Sequence, residues 1–382
     1  MIRSITLSGF KSLKRLSFDL GKLNILVGAN ASGKSSFLQT LLLLRQSSTP
    51  EGLIQSLQLS GELFEGGTAA DVLHPEAERR IDVEIAEGAA ISQFQFEALR
   101  SDTDPNPRTL VARSALPKLP IELSERGNWF SYLNAERVGP RVNYPLSPNE
   151  AKLSGVLGKH GEFTTAYLAR AHASSATVSG WDARLNQLTF SQSKNIDPAD
   201  VTLAQSQMVP VANLLLGWII PGATFDASEH ASMDTAQLGF TRDATGTKAS
   251  VRPTHIGFGL SYVLPIIAAI LSTHDAGTLI VENPEAHLHP FSQSRIGSLL
   301  GLAAKDGMQT FVETHSDHLV NGVRLAVKNN LIAASDVRFF FFEKNPDADS
   351  SIVTTLTVEE DGSLSDWPAG FFDQIENDLA RL

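Results

Sequence analysis

Cysteine is absent from this chain of 382 residues, which excludes disulfides and thiolate metal sites; a cytoplasmic address follows as an expectation. Long hydrophobic runs are missing too. The most apolar stretches, ANLLLGWII and GLSYVLPIIAAIL, are too short and too interrupted by Gly and Pro to span a bilayer, which takes about 20 residues. The opening MIRSITLSGFKSL lacks the apolar core of a signal peptide, so no membrane partner is expected. Positive charge is in deficit: 31 Lys and Arg against 42 Asp and Glu give a formal charge of -11 and a pI near 5.4. A uniformly basic coat is excluded, and contact with nucleic acid needs a local patch or a groove formed by assembly. No heptad run appears, which excludes a long coiled-coil arm. The chain is long enough for one large domain with an insertion or for two smaller ones.

What the chain does have is alternation. IRSITLSGF, LKRLSFDL and LNILVG read as strands, the third running into a glycine-rich turn, and a helix is expected over about 33–46. From 51 to 252, runs such as IDVEIA and ISQFQFEAL suggest strands. Helical stretches follow in TTAYLARAHA, SGWDARLNQL and VTLAQSQMVPVANLLLGWI, with Pro210 expected to break or kink the last. Beyond 253, helices near 260–272, over about 290–304 and in SDHLVNGVRLAVK alternate with strands TLIVE, QTFVE and VRFFFFE. Such alternation implies an α/β fold with a mainly parallel sheet covered on both faces. The tail reads as a strand, a turn at Asp361 and Gly362, an aromatic segment in which Trp367, Phe371 and Phe372 are packing residues, and a short terminal helix. The chain therefore divides into 1–50, an inserted region of strands then helices at 51–252, a third part at 253–345, and a tail at 346–382.

Residues 28–35, GANASGKS, fit G-x-x-x-x-G-K-[ST] at every fixed position, after a strand and before a helix. In such a loop the glycines let the backbone approach a phosphate, and the helix N-terminus faces the anion. Gly28, Asn30, Ala31, Ser32, Gly33, Lys34, Ser35 and Ser36 are thus the candidate nucleotide-binding residues, with Lys34 reaching the β and γ phosphates and the Ser35 hydroxyl able to ligate Mg²⁺.

Strand TLIVE ends in Glu282, the expected place of a metal-binding acid if that strand lies beside the phosphate-loop strand. His315 follows strand QTFVE, at the sheet edge where ligands of open α/β folds collect. Upstream, HIGFGLS opens a helix with Gly257, Gly259 and Ser261, chemistry suited to holding a phosphate.

Together these pieces resemble the ABC-type ATPase heads of the SMC, RecF and OLD group, over 1–46 and 253–344. GANASGKS resembles Walker A, GFGLS a divergent signature, TLIVENPEAHLHP Walker B with the following D-loop, and ETHSDH the switch-histidine segment. More narrowly, YLNAERVGPR, IGFGLSYVLPI, VENPEAHLHP, ETHSDHLVNGVRLAVK and WPAGFFDQ resemble bacterial AAA-family ATPases that carry an uncharacterised C-terminal domain. That group is linked to phage defence or to genome maintenance and DNA repair. The resemblance implies a P-loop NTPase fold, ATP and Mg²⁺ as cofactors, and Ser35 and Glu282 as metal ligands. It also implies a head-to-tail homodimer, in which Gly257, Gly259 and Ser261 of one copy cover the nucleotide held by the other, and a separately encoded effector.

In the family pattern Asn283 stands where the catalytic glutamate is expected. An amide cannot accept a proton, but it can orient water, because a loose phosphoryl transition state asks mainly for positioning and charge stabilisation. Glu285 and Glu313 are further candidate bases, so slow ATP hydrolysis is expected. The rival readings are a hydrolysis-silent ATP-binding scaffold, a transporter motor, disfavoured by the missing LSGGQ-type signature, and a small-molecule kinase. A metal site built from Glu285, His287 and His289, or from His315, Asp317 and His318, is disfavoured because i, i+2 histidines at such turns more often pack and cap. Arg137 and Arg141 read as surface ion pairs before phosphate or partner contacts. Gly158 to Gly161 reads as a loop, and Gln58 and Gln95 stand equal as candidates for a metal-sensing glutamine.

Overall fold

The computed structural model describes the chain apart from residues 100–103, 105, 114–117, 126, 147–152, 192–205, 243–249 and 374–377. In chain order its strands are β1 (Ile2–Phe10), β2 (Leu13–Asp19), β3 (Leu23–Gly28), β4 (Ser56–Gln58), β5 (Arg80–Glu87), β6 (Ala90–Glu97), β7 (Thr109–Ala112), β8 (Phe130–Leu133), β9 (Tyr144–Pro145), β10 (Ala223–His230), β11 (Thr235–Arg242), β12 (Thr278–Glu282), β13 (Gln309–Glu313), β14 (Val337–Lys344) and β15 (Ser351–Leu356). The longer helices are α1 (Lys34–Ser47), α2 (Thr164–Ala173), α3 (Trp181–Ser191), α4 (Met208–Ile219), α5 (Phe258–Ser272), α6 (Pro290–Ala304) and α7 (Asp317–Lys328).

The continuous apolar strands form one six-stranded sheet in the order β15-β14-β3-β13-β12-β8, parallel except for the β14-β15 pair. Both faces are covered, which is why runs such as residues 23–27 and 339–342 are buried throughout. Leu23, Ile25 and Val27 of β3 point into one core with the α4 to α7 layer, while Leu26 points into a second core shared with α1. Phe340 and Phe342 of β14 and Phe311 of β13 fill that second core, where Phe37 of α1 packs 4.4 Å from Phe18 of β2 and 6.0 Å from Phe311. Each such buried ring stabilises the fold by about 1.5–3 kcal/mol relative to exposure.

A second sheet, ordered β2-β1-β5-β6-β7-β4, is antiparallel and closes over α1 from the far side. The stretch 51–252 contributes to all three sheets: β5 pairs with β1, β8 pairs with β12, and β9, β10 and β11 form the small third sheet.

Helices fall where expected, with one correction. The helix read over 201–219 begins only at Met208: Ser206 and Gln207 lie in a turn and an isolated bridge, 201–205 fall outside the described residues, and Pro210 sits in the first turn of α4, where its missing N–H has no intrahelical acceptor to lose. Helices α6 and α7 meet backbone to backbone. A Cβ on Gly322 would lie 1.9 Å from the Ser294 carbonyl oxygen, and one on Gly297 would lie 2.3 Å from that of Leu319. The terminal helix expected after the aromatic segment falls partly outside the described residues. Among the described residues no helix is long and apolar enough to cross a membrane.

Strand order brings a second correction. TLIVE, now β12, does not lie beside the phosphate-loop strand β3. The strand between them is β13, which pairs with both. All four central strands are parallel, so Gly28, Glu313 and Glu282 end at one edge, with Glu282 in register with Glu313 and Glu313 with Leu26.

Candidate functional site

At that edge β3 turns through Gly28 and Ala31, with φ of 137° and 59°, into Gly33, the N-cap of α1, at φ 106°. The loop is buttressed from the far end of the sequence. Ser351, the first residue of β15, donates through its hydroxyl to the Ser32 carbonyl at 2.7 Å, and it lies 2.8 Å from the Ser12 hydroxyl. A Cβ on Gly33 would lie 2.2 Å from Ser351 Oγ, so glycine is required here both for its torsion and for space.

Beside the loop opens a cleft of about 420 Å³ lined by Lys11, Ser12, Asn30 to Ser36, Gln39, Glu313 and His315. Lys34 folds back across the loop, donating to the Gly28 carbonyl at 2.9 Å and the Ala29 carbonyl at 2.7 Å. Burial holds its ammonium below the ordinary lysine range, opposed by Glu313. The Ser35 hydroxyl donates to Glu313 Oε1 at 2.9 Å. Burial first, and then the negative charge of Glu282, push the Glu313 carboxyl up to about 7. Burial and the Lys34 charge hold the His315 imidazole below its usual value, opposed by Glu285.

Of the residues expected from the sequence, Asn30, Ala31, Ser32, Gly33, Lys34, Ser35, Ser36 and His315 line this cleft. Gly28 lines an adjoining cavity of about 290 Å³ together with Ala29, His315, Phe341 and the tail residues Gly370 to Asp373. Phe371 of that tail is buried, 5.5 Å from Phe341 and 4.9 Å from Trp367, so it packs as expected, whereas Trp367 is 46% exposed and Phe372 half-buried; the segment also reaches the phosphate-loop edge.

Glu282, Asn283 and Glu285 do not line the cleft. Glu282 accepts from the Tyr132 hydroxyl at 2.9 Å and from the Ala135 N–H at 3.3 Å, so both of its oxygens have donors. Burial pushes its carboxyl upward against those two hydrogen bonds and Arg137. Asn283 adopts φ of 46°, donates its N–H to the Glu313 carbonyl at 2.8 Å, and keeps its side-chain oxygen buried without a partner. Glu285 turns toward the switch segment, accepting from the Thr314 hydroxyl and the His315 N–H, each at 2.8 Å.

Gly257, Gly259 and Ser261 stand apart from the cleft, in the first turn of α5 and the residue before it. A Cβ on Gly259 would lie 2.9 Å from the His287 carbonyl oxygen, so this turn packs on the segment after β12. Ser261 is buried at 4% exposure, whereas Phe258 is 52% exposed, with its ring 5.2 Å from His287.

Two expectations change. Arg137 is no surface ion pair: it is 2% exposed and donates 2.7 Å bonds to the carbonyls of both Glu282 and Asn283. Gln58 and Gln95 lie on β4 and β6 and line no part of the cleft; the glutamine that does is Gln39, which accepts from Lys11 at 2.7 Å. Lys11, Ser12 and Gln39 were not expected in the site, and their only sequence signal is that GFKS precedes β2 and Gln39 lies one turn beyond Ser35. Among the described residues no group of three or more His, Cys, Asp or Glu is placed to hold a metal ion. Magnesium together with nucleotide phosphates needs fewer protein ligands. The oxygen donors of Ser35, Glu313 and Glu282 suit that hard cation, and Glu313 Oε2 is buried with no hydrogen-bond partner, so the residues present fit the ion.

This phosphate loop on a central parallel strand, with acids and a histidine at the ends of the neighbouring strands, defines a P-loop NTPase fold. The chain belongs to the family described as "AAA domain, putative AbiEii toxin, Type IV TA system", whose model matches residues 23–321. Residues 332–382 match a second family, described as "Protein of unknown function (DUF3696)". No match is found among curated proteins. Among solved structures, the Smc head domain with an extended coiled coil, bound to the C-terminal domain of ScpA and derived from Pyrococcus furiosus, has a TM-score of 0.50 at 13% identity, covering 100% of this chain and 98% of that one. The SMC head domain from Thermotoga maritima has a TM-score of 0.42 at 10% identity, covering 94% and 99%. At the identity of the Pyrococcus head the likeness is one of fold.

Proposed function

We propose that the chain is an ATP-binding, slowly hydrolysing switch that dimerises head to tail around nucleotide and signals to a separately encoded effector in phage defence or DNA maintenance. The observation that carries this reading is the separation of the phosphate cleft from the Gly257 to Gly259 turn, which lines none of it and carries the exposed Phe258. A covering segment with no access to its own cleft suits action on the cleft of a second copy, the reciprocal two-fold contact that closes two chains on two nucleotides. Because Ser261 is buried, the groups offered at this turn are the first N–H groups of α5 rather than the serine hydroxyl.

In this mechanism Lys34 leaves the carbonyls of Gly28 and Ala29 for the β and γ phosphates, and the first-turn N–H groups of α1 face the same anion. Ser35 and a carboxylate at the sheet edge would hold Mg²⁺, which would supply neutralisation of the phosphate charge. His315, with its imidazole kept neutral near pH 7 by burial and by Lys34, offers an N–H to the γ-phosphate side of the cleft. Asn283 cannot take a proton, and its side-chain oxygen is buried outside the cleft, which supports slow hydrolysis. The γ-phosphate contacts hold the closed dimer, and their loss opens it. The defence role is supported by the toxin named in the family description.

Steady-state phosphate release by the purified chain and by Lys34→Ala tests the hydrolytic part, with a clear excess for the unmodified chain expected. Equal rates select the second reading, a hydrolysis-silent scaffold, which the amide at Asn283 favours. Salt-dependent binding of DNA or RNA with and without ATP tests nucleic acid as a partner, and copurification from the native host identifies an effector.

A further inference from the structure

We propose that the tail turn at residues 370–373 walls the nucleotide site at its terminal-phosphate end, and that the Asp373 carboxylate there sets how the site tells a nucleoside triphosphate from a diphosphate. This rests on the nucleotide-binding reading above and extends its site to a segment far along the chain.

His315 lines both the phosphate cleft and the adjoining cavity of about 290 Å³, so the two spaces meet at that residue. The walls of the smaller cavity are shared between the loop residues Gly28 and Ala29 and the tail residues Gly370, Phe371, Phe372 and Asp373. Gly28 and Ala29 are also the residues whose carbonyls hold the Lys34 ammonium. A phosphate that draws Lys34 off them and takes an N–H from His315 therefore stands at the border of the tail cavity. The tail is fixed there by Phe371, whose buried ring lies 5.5 Å from that of Phe341, and Phe341 is in register with Val27 on the loop strand.

Charge and strain meet in the same turn. Asp373 is half-buried, and among the described residues it has one hydrogen bond, from the Gly370 N–H at 2.9 Å, and no ion pair. Like charges repel more strongly out of bulk water, so a terminal phosphate at this border meets a repulsion that a diphosphate, one group shorter, largely escapes. A site sets its preference by such a penalty as well as by contacts. The turn is built to yield to it. Gly370 at φ 83° and Phe372 at φ 55° hold left-handed backbone, which is costly for a bulky residue, and the Asp373 cap is what closes the turn. Pushing the carboxylate away breaks the cap and releases Phe372. Trp367, 4.9 Å from Phe371 and 46% exposed, lies where it senses that release.

Calorimetric titration of the full chain with a non-hydrolysable ATP analogue and with ADP gives the ratio of the two affinities for the parent, Asp373→Asn and Asp373→Glu. The amide oxygen of the first variant still accepts the Gly370 N–H but carries no charge, whereas the second keeps the charge and misplaces the cap. Asp373→Asn is expected to shift the ratio toward the analogue about fivefold or more, the lower end of typical coupling between sites, with ADP affinity moving far less and the melting temperature kept. Asp373→Glu is expected to keep the parental ratio. A merely structural cap predicts the reverse order. In parallel, subtracting the emission of Trp367→Phe from that of the parent isolates one of the 4 tryptophans. Its signal is expected to change with the analogue and not with ADP. A ratio in Asp373→Asn equal to the parent's, or a Trp367 signal the same with both nucleotides, overturns the proposal and leaves nucleotide binding standing. A parent chain that binds neither nucleotide overturns both.

Discussion

The carboxylate of Glu285 accepts the backbone N–H of His315 at 2.8 Å, and its other oxygen accepts the Thr314 hydroxyl at the same distance. The loop after β12 is thereby locked to the loop after β13, and Glu285, a candidate base by sequence, is occupied in setting the histidine. Glu285→Ala removes two hydrogen bonds to a charged acceptor. It is expected to lower stability by about 2 kcal/mol or more in denaturant titrations. It should also slow phosphate release more than it weakens nucleotide binding. Unchanged stability together with unchanged turnover would contradict the lock.

Arg137 performs the corresponding task on the backbone of the Walker B segment. Its two terminal nitrogens serve two successive carbonyls, those of Glu282 and Asn283, and its guanidinium lies 5.3 Å from the Tyr262 ring centroid. Burial holds the group down to about 10, opposed by Glu285 and other neighbours, so it remains charged at neutral pH. Arg137→Lys preserves charge but not the fork, and it should still cost about 1–3 kcal/mol by leaving a buried carbonyl unpaired. Thermal melting of Arg137→Lys and Arg137→Ala checks this, and a lysine variant with the parental melting temperature would refute the clamp.

Gly33→Ala meets a positive φ and a hydroxyl at 2.2 Å at the same time. The torsion alone is worth about 1–3 kcal/mol. Relief requires moving Ser351, which holds the Ser32 carbonyl. The variant is expected to lose nucleotide affinity, measured by titration calorimetry, and Gly33→Ala combined with Ser351→Gly should recover part of it by removing the steric contact.

These relationships explain which parts were legible in the sequence. The phosphate loop was, because its donors are consecutive residues on one turn and their spacing alone states the chemistry. The alternation of strands and helices was, because a sheet buried on both faces forces runs such as VRFFFFE. Strand order was not: nothing local says that QTFVE inserts between LNILVG and TLIVE, and that insertion moves Glu313 to the cleft and Glu282 away from it. Arg137 misled because its partners lie 145 and 146 positions away, so a charge that looks solvated in a loop is buried by tertiary packing. Lys11, Ser12 and Gln39 come from a turn and a helix that meet only after β1 and β2 close over α1.

The dimer reading makes its own demand on Phe258. This ring opens α5 at 52% exposure, 5.2 Å from His287 and 6.2 Å from Tyr262, and adds little to the monomer's core. Half-exposed aromatic residues at the centre of an interface contribute about 2 kcal/mol or more on truncation, a factor of roughly 30 in dissociation constant. Substitutions at such surface positions change monomer stability by only about 0.5 kcal/mol. Phe258→Ala should therefore leave thermal melting and monomer nucleotide binding nearly unchanged while weakening self-association in the presence of a non-hydrolysable ATP analogue. Sedimentation equilibrium with and without the analogue measures both quantities on one sample. A variant that dimerises as tightly as the parent would mean that the signature face does not meet a second copy. A parent that stays monomeric with nucleotide bound would mean that ATP closes no sandwich, and the switch would have to act within a single head.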